Sequence, residues 1–250
     1  MMSITRKRRM AVLIIMVLIT LSGTVYERFQ SQGQDFSDSA VKSVATSTGE
    51  IRADSPAIEV LGKIAVKGRA PKTGYERKQF SDGWGNTIGC NVRNYILKRD
   101  LTGVITQSAT DCTVVQGTLQ DPYTNKTVMF VKGPDTSDDV QIDHVIALSN
   151  AWQTGAQGLS SGDRMRVAND PLNLLAVDGP ANQKKGDGDA ATWLPPNKDF
   201  RCRYVARQIA VKRKYNLWVT QPERDAMDRV LGACPGQVLP VENADTAAGS

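Results

Sequence analysis

The sequence predicts an α+β fold, and three observations carry that prediction. In the first half of the chain, "CTVVQGTLQDPYTNKTVMFV" (112–131) places strand-favouring residues on both sides of a turn-forming "DPYTNK". In the second half, "FRCRYVARQIAVKRKYNLW" and "TQPERDAMDRVLG" carry helical spacing and helix-end signals. Four cysteines, Cys90, Cys112, Cys202 and Cys234, fall two in each half, an even count that suits two disulfides in an exported chain. Nearest-neighbour pairing, Cys90 with Cys112 and Cys202 with Cys234, is expected because each bridge then ties one local module.

The ends read differently from the middle. "TRKRRM" precedes the apolar run "AVLIIMVLITLSG", which is shorter than a typical membrane-spanning helix. Residues 1–25 are therefore expected to be a secretory signal, either cleaved or kept as a membrane anchor. No Ala-x-Ala cleavage pattern is present, and Val25 and Tyr26 lengthen the apolar stretch. This leader holds four basic residues and no acid, which leaves 27 basic and 26 acidic residues in the remainder. The net charge of +5 is thus mainly the leader's, and it gives no ground for inferring nucleic-acid binding. Residues 26–57, rich in Ser, Gln, Thr and Asp, read as a flexible linker, and 235–250 as a loose tail. The folded domain is expected at 58–234.

Along that domain, "IEVLGKIAVKGRAP" (58–71) opens the folded material. "NVRNYILKRDL" (91–101) has Val92, Tyr95, Ile96 and Leu101 at the spacing of a short amphipathic helix. The hairpin of 112–131 follows and is broken by "GPDTSD". "VQIDHVIAL" (140–148) leads into "SNAWQTGA" and "SSGDRMRVANDP", two short helices, the second capped from within Ser161–Arg164. "LNLLAVDGP" (172–180) is a short apolar strand ending in a Gly-Pro turn, and "ANQKKGDGDAATWLPP" begins as a helix. The helix at 200–218 stops near Asn216. The last helix has Thr220 and Glu223 as a capping box, Pro222 in its first turn and Gly232 at its end.

Chemistry concentrates between Asp143 and Asp189. His144 is the chain's only histidine. It follows Asp143, and Asn173, Asn182, Lys184, Lys185, Asp187 and Asp189 come after it. Oxygen donors of this kind suit a hard divalent ion, whereas a lone histidine and well-separated cysteines do not make a zinc cage. Neighbouring strand residues point to opposite faces, so Asp143 and His144 can serve one site only at a strand end. Together they suggest metal-assisted phosphodiester hydrolysis, with a cation on the phosphate and the imidazole taking a proton from water.

The ordered set "DHVIALSNAW … NDPLNLLAVDGPANQKKGDGDAATWLPP" resembles the HNH endonuclease superfamily, in particular exported HNH proteins with a GmrSD-type nuclease domain. The likeness runs from about Tyr75, through "FSDGWGNTIGCNVRNYILKRDL" and "GTLQDPYTNKTVMF", to about Leu231. It implies a ββα-metal core at about 140–190, preceded by a β-hairpin and helix extension and followed by C-terminal helices. By position, it implies His144 as general base, Asn173 as the residue that ties down the loop and orients that base, and Asp143 and Asn182 as ligands of Mg²⁺ or Mn²⁺. Asn182 stands where many members carry a second His. Lys184 and Lys185 are placed beside the phosphate, and Asp187 at the edge of the ion's surroundings. The implied partner is nucleic acid, DNA first, and a membrane enters only through an N-terminal anchor.

Each assignment has a plainer competitor. His144 alone reads as a packed, hydrogen-bonded histidine, Asp143 as a turn residue, Asn173 as a local backbone partner and Asn182 as a helix cap. "KKGDGD" lacks the ligand spacing and closing Glu of an EF-hand. Arg203, Arg207 and Lys214 share a helix face that suits either a phosphate-positioning stripe or plain solvation. Trp152, Trp193 and Trp218 suit base stacking or, more simply, a core. The alternative to an exported nuclease of low sequence specificity is an inactive nucleic-acid-binding or envelope module on the same scaffold.

Overall fold

The computed structural model describes residues 55–240, all within one compact unit. The expected signal, residues 26–54 of the expected linker and residues 241–250 lie outside the described residues. Helix α1 (Ala57–Lys63) starts the domain one residue before the expected boundary and buries Ala57, Val60 and Leu61. Residues 235–240 correct the expected tail. Pro56 bridges Val238, the Leu239 N–H donates to Ser55 O at 3.2 Å, and the Leu239 side chain is buried in the core beside α1.

A two-residue ribbon of β1 (Asn86–Thr87) and β2 (Cys90–Asn91) leads into α2 (Val92–Asp100). The Asn91 side chain caps α2 by accepting the Arg93 N–H, and Val92, Ile96 and Leu97 form its buried stripe. Strand β3 (Leu101–Thr106) follows at once and pairs with β4 (Val114–Gln120), which pairs with β5 (Thr127–Val131), all antiparallel. The β4–β5 hairpin is the expected one. The third strand adds to it; only Leu101 of β3 is fully buried, so no alternation marks it in the sequence.

Strand β6 (Val140–His144) is followed by α3 (Leu148–Gln153) and α4 (Ser161–Asn169), then by β7 (Leu174–Asp178) and, without a break, α5 (Gly179–Lys185). Ser160 caps α4, one residue ahead of the expected stretch, because its hydroxyl is the one in reach of the Asp163 N–H. β6 and β7 pair antiparallel, with Asp143 opposite Leu175 and His144 opposite Leu174, and α5 packs on them. Two strands and a helix therefore stand in the ββα order. Helices α6 (Arg201–Lys214) and α7 (Gln221–Gly232) complete the described chain, α7 carrying the expected Thr220–Glu223 capping box.

The β6–β7 hairpin lies between two apolar clusters. Val140, Ile142, Leu174 and Ala176 face α2 and the three-stranded sheet, whereas Leu175 and Val177 face α1, α3, α6 and α7. A strand buried on both faces has no polar side, which is why "LNLLAVD" reads as a continuous apolar run. Each such Leu or Val side chain removed from water contributes about 2 kcal/mol. The edges are pinned by side chains. Asp100 accepts the Ala176 N–H at 2.8 Å, Arg99 donates to Leu174 O at 2.7 Å, and Asp121, from the β4–β5 turn, accepts the Asp178 N–H at 3.0 Å. Both disulfides take the nearest-neighbour pairing, with Cα–Cα distances of 5.6 Å for Cys90–Cys112 and 6.4 Å for Cys202–Cys234.

Candidate active site

His144 ends β6, and its Nε2 lies 2.9 Å from the Ala168 carbonyl oxygen. A carbonyl only accepts, so Nε2 carries the proton and Nδ1 keeps the lone pair. The ring is 6% exposed and stacks on the Trp84 indole, with planes 4° apart and centroids at 5.8 Å. Burial pulls the imidazole pKa down to about 4; the Ala168 hydrogen bond works the other way, and the positive charge of Arg77 adds to the depression. At neutral pH the ring is therefore uncharged and able to take a proton.

The turn after His144 is held by Asn173, which is fully buried. Its Oδ1 accepts the Ile146 N–H at 2.8 Å, and its Nδ2 donates to Val167 O at 3.1 Å. The Val145 N–H donates in addition to Asn173 O at 2.8 Å. The Asn173 side chain thus joins the loop behind the histidine to α4 at Val167, beside the Ala168 carbonyl that holds the ring.

A cavity of about 150 Å³ opens at this histidine, lined by Arg77, Ser81, Gly83, Trp84, His144, Leu148 and Ala168. Its mouth comes from the segment before β1. Arg77 sits in a single 3-10 turn, Arg77–Gln79, with an exposed side chain that makes no hydrogen bond or ion pair among the described residues. Gly83, at φ +100°, turns the loop in a conformation that L side chains rarely adopt, and so aims Trp84 at the imidazole. The Gly85 N–H donates to Asn169 Oδ1 at 2.8 Å, and Gly85 O accepts from the Val92 N–H at 2.8 Å, fastening the loop to α4 and α2.

Asp143 points to the other face. Its Oδ1 accepts from Lys185 Nζ at 2.8 Å, and its Oδ2 accepts from the Tyr123 hydroxyl. Lys185 Nζ also donates to the His144 carbonyl at 2.8 Å and is 0% exposed at its side chain. Asn182 lies one turn back on α5 and donates from Nδ2 to Gln141 Oε1 at 2.9 Å. As arranged, Asp143 and Asn182 do not fit a divalent ion. An ammonium already balances the carboxylate, both carboxylate oxygens are engaged, and the described residues hold no group of three or more His, Cys, Asp or Glu suited to a metal.

The expected phosphate contacts are dispersed. Lys184 is exposed, but Lys185 is the buried partner of Asp143 rather than a surface cation, because α5 turns it under the β6–β7 pair. Asp187 is exposed and pairs with Lys72 at 2.9 Å. Arg203 is exposed over the Phe200 ring. Arg207 is not on its surface stripe. It is buried, donates to Leu172 O at 3.1 Å, and burial lowers its pKa to about 10. Lys214 pairs with Asp170 at 2.9 Å. Trp152 and Trp193 pack in the core. The sequence reading passed over Arg77 and Trp84; a tryptophan between two glycines in "SDGWGN", where no core periodicity exists, was the available signal.

The family model for GmrSD restriction endonucleases, C-terminal domain, matches residues 91–230. A relative from Arthroderma benhamiae, described as an uncharacterized secreted protein, is 37% identical over 183 residues, which is 72% of this chain and 85% of that protein. No solved structure matches the chain. With the ββα order, the buried histidine at its strand end and a family match over more than half its length, the chain belongs to the family of GmrSD restriction endonuclease C-terminal domains.

Proposed function

We propose that the protein is an exported endonuclease that hydrolyses nucleic-acid phosphodiester bonds with low sequence specificity, with His144 as general base. One observation carries the reading: a neutral imidazole, its Nε2–H committed to Ala168 O, lines a cavity beside the exposed guanidinium of Arg77. Nδ1 takes a proton from water as the water oxygen bonds to phosphorus. The P–O3′ bond breaks, and the departing 3′ oxygen is protonated by solvent. Arg77 meets the growing negative charge on the phosphoryl oxygens. The Ala168 carbonyl stabilises the imidazolium that forms, and Asn173 keeps the ring and its loop in register.

HNH-type nucleases generally use a divalent cation, which when bound would stabilise the same phosphoryl charge. Magnesium or manganese, expected from the resemblance at Asp143 and Asn182, would meet Lys185 there. In the steps above the chain's own residues take the water's proton and meet the phosphoryl charge, and solvent protonates the leaving oxygen. Export is supported by the relative's description as secreted and by two disulfides, and among the described residues no helix is long and apolar enough to cross a membrane. The same Lys185–Asp143 pair favours a second reading, a catalytically silent nucleic-acid-binding or envelope module.

The test is cleavage of supercoiled plasmid, single-stranded DNA and RNA by the oxidised protein with Mg²⁺, Mn²⁺ or chelator, beside His144→Ala. Loss of cleavage by about a hundredfold or more in the variant, with unfolding unchanged, supports the base assignment. Equal rates in parent and variant would overturn it, and binding without cleavage under every condition would favour the silent module.

A further inference from the structure

We propose that Arg77 and Trp84 form a nucleotide-capture step at the cavity mouth, so that the preferred substrate is single-stranded nucleic acid rather than duplex. The inference deepens the nuclease reading, because the captured strand must lie across His144. Both residues precede residue 91, where the match to the family model begins, and lie in the segment before β1.

Three features point this way. The Trp84–His144 stack is offset, and the indole is only partly buried, so part of its ring lines the cavity rather than the imidazole. An indole platform at a cavity takes the face of a base, and base faces are available only where the strand is unpaired and unstacked. Arg77 stands at the same opening with five donors and an exposed side chain that makes no hydrogen bond or ion pair among the described residues, a fork that can grip a phosphate in two places. The cavity itself is small. A cavity of about 150 Å³ closed by one loop receives one backbone phosphate with its sugar, not the paired strands of a duplex.

The loop is built to hold that platform. The Ser81 hydroxyl donates to Gly83 O, and the two Gly85 hydrogen bonds anchor the far side to Asn169 and Val92. No element of the α6 surface contributes: Arg207 is buried, and Arg203 lies over Phe200.

The experiment measures binding by the full oxidised chain, in chelator, of fluorescein-labelled oligothymidylate, oligouridylate of the same length and a hairpin duplex. Arg77→Gln, Trp84→Leu, Trp84→Phe and Arg203→Gln are compared with the parent, and each variant's unfolding midpoint is recorded. Single strands should bind about tenfold more tightly than the duplex. Trp84→Leu and Arg77→Gln should each weaken strand binding about tenfold, Trp84→Phe by no more than about threefold, and Arg203→Gln not at all. The two single strands separate DNA from RNA as source of the same chemistry. Equal binding of strand and duplex, or unchanged binding by Arg77→Gln and Trp84→Phe together with Trp84→Leu, would overturn the proposal; Arg77→Gln alters an exposed side chain and so reads out even if Trp84→Leu fails to fold. Strand-selective binding without cleavage under any metal would sink the nuclease reading alone, whereas cleavage that ignores both substitutions would sink this one alone.

Discussion

His144 owes its character to what surrounds it, not to its own chemistry. The unfolded chain holds the imidazole near its ordinary pKa of 6.5, and burial in the folded protein moves it to about 4. Between those values the unfolded state binds a proton that the folded state does not. The histidine's contribution is therefore fully present above about pH 6.5 and is lost as the pH falls toward 4, on the order of 3 kcal/mol across the window. Urea unfolding at pH 7.5 and 4.5 should show the parent losing more stability than His144→Gln by about that amount. An equal loss in the two proteins would mean that the ring is hydrated or paired when folded. The same depression places the acid limb of any cleavage profile below pH 6. The candidacy of this residue as general base was readable in the sequence from its solitude and from Asp143. Its environment was not: the Trp84 stack and the Ala168 bond join residues 60 and 24 positions away, and no periodicity encodes them.

At the scale of elements, the β7–α5 junction sets the geometry of one side of the hairpin. Asp178 caps α5 by accepting the Ala181 N–H at 2.9 Å, and Pro180 fits the first turn. Gly179 between them has no room for a side chain, since a Cβ there would come within 2.1 Å of the Asp138 carbonyl oxygen. Gly179→Ala should therefore cost about 2–4 kcal/mol, measured by thermal or urea unfolding. It should also shift α5 and with it the Lys185–Asp143 pair; a near-neutral effect would show that the 133–139 turn yields easily. Elements with local signals were legible. The capping box of α7, the turn of the β4–β5 hairpin and the amphipathic stripe of α2 all lie within a few residues of the feature they specify. Strand β3 and the inward turn of Arg207 and Lys185 were not, because each is decided by which neighbour covers it. Lys185 next to Lys184 looks like a basic surface pair until α5 is packed on β6.

For the whole molecule, the two disulfides serve different halves of the structure. Cys90–Cys112 closes 22 residues beside the loop that carries Trp84, and Cys202–Cys234 closes 32 residues across α6 and α7. Loop-closure entropy gives each about 3–4 kcal/mol. Replacing either pair with serines should lower stability by that order, read as the denaturation midpoint. Only the Cys90→Ser/Cys112→Ser protein should also lose strand binding, since only that bridge tethers the mouth of the cavity. Equal loss of binding in both variants would mean that the mouth depends on global stability rather than on its own clip. The α+β class and the pairing of the cysteines were readable from composition and spacing. The division into two apolar clusters, with one hairpin serving as the wall between them, was not, because a strand covered on both sides carries no sign of which residues face which cluster.

That His144 stands alone in 250 residues has a spectroscopic consequence. One set of imidazole resonances belongs to one ring, so a single nitrogen-edited NMR experiment needs no assignment. The nitrogen shifts would report which of Nδ1 and Nε2 bears hydrogen, and their pH course would give the titration directly. The carbon-bound protons lie in the ring current of Trp84. A short oligonucleotide that draws the indole away would move those lines, whether or not any bond is ever cut.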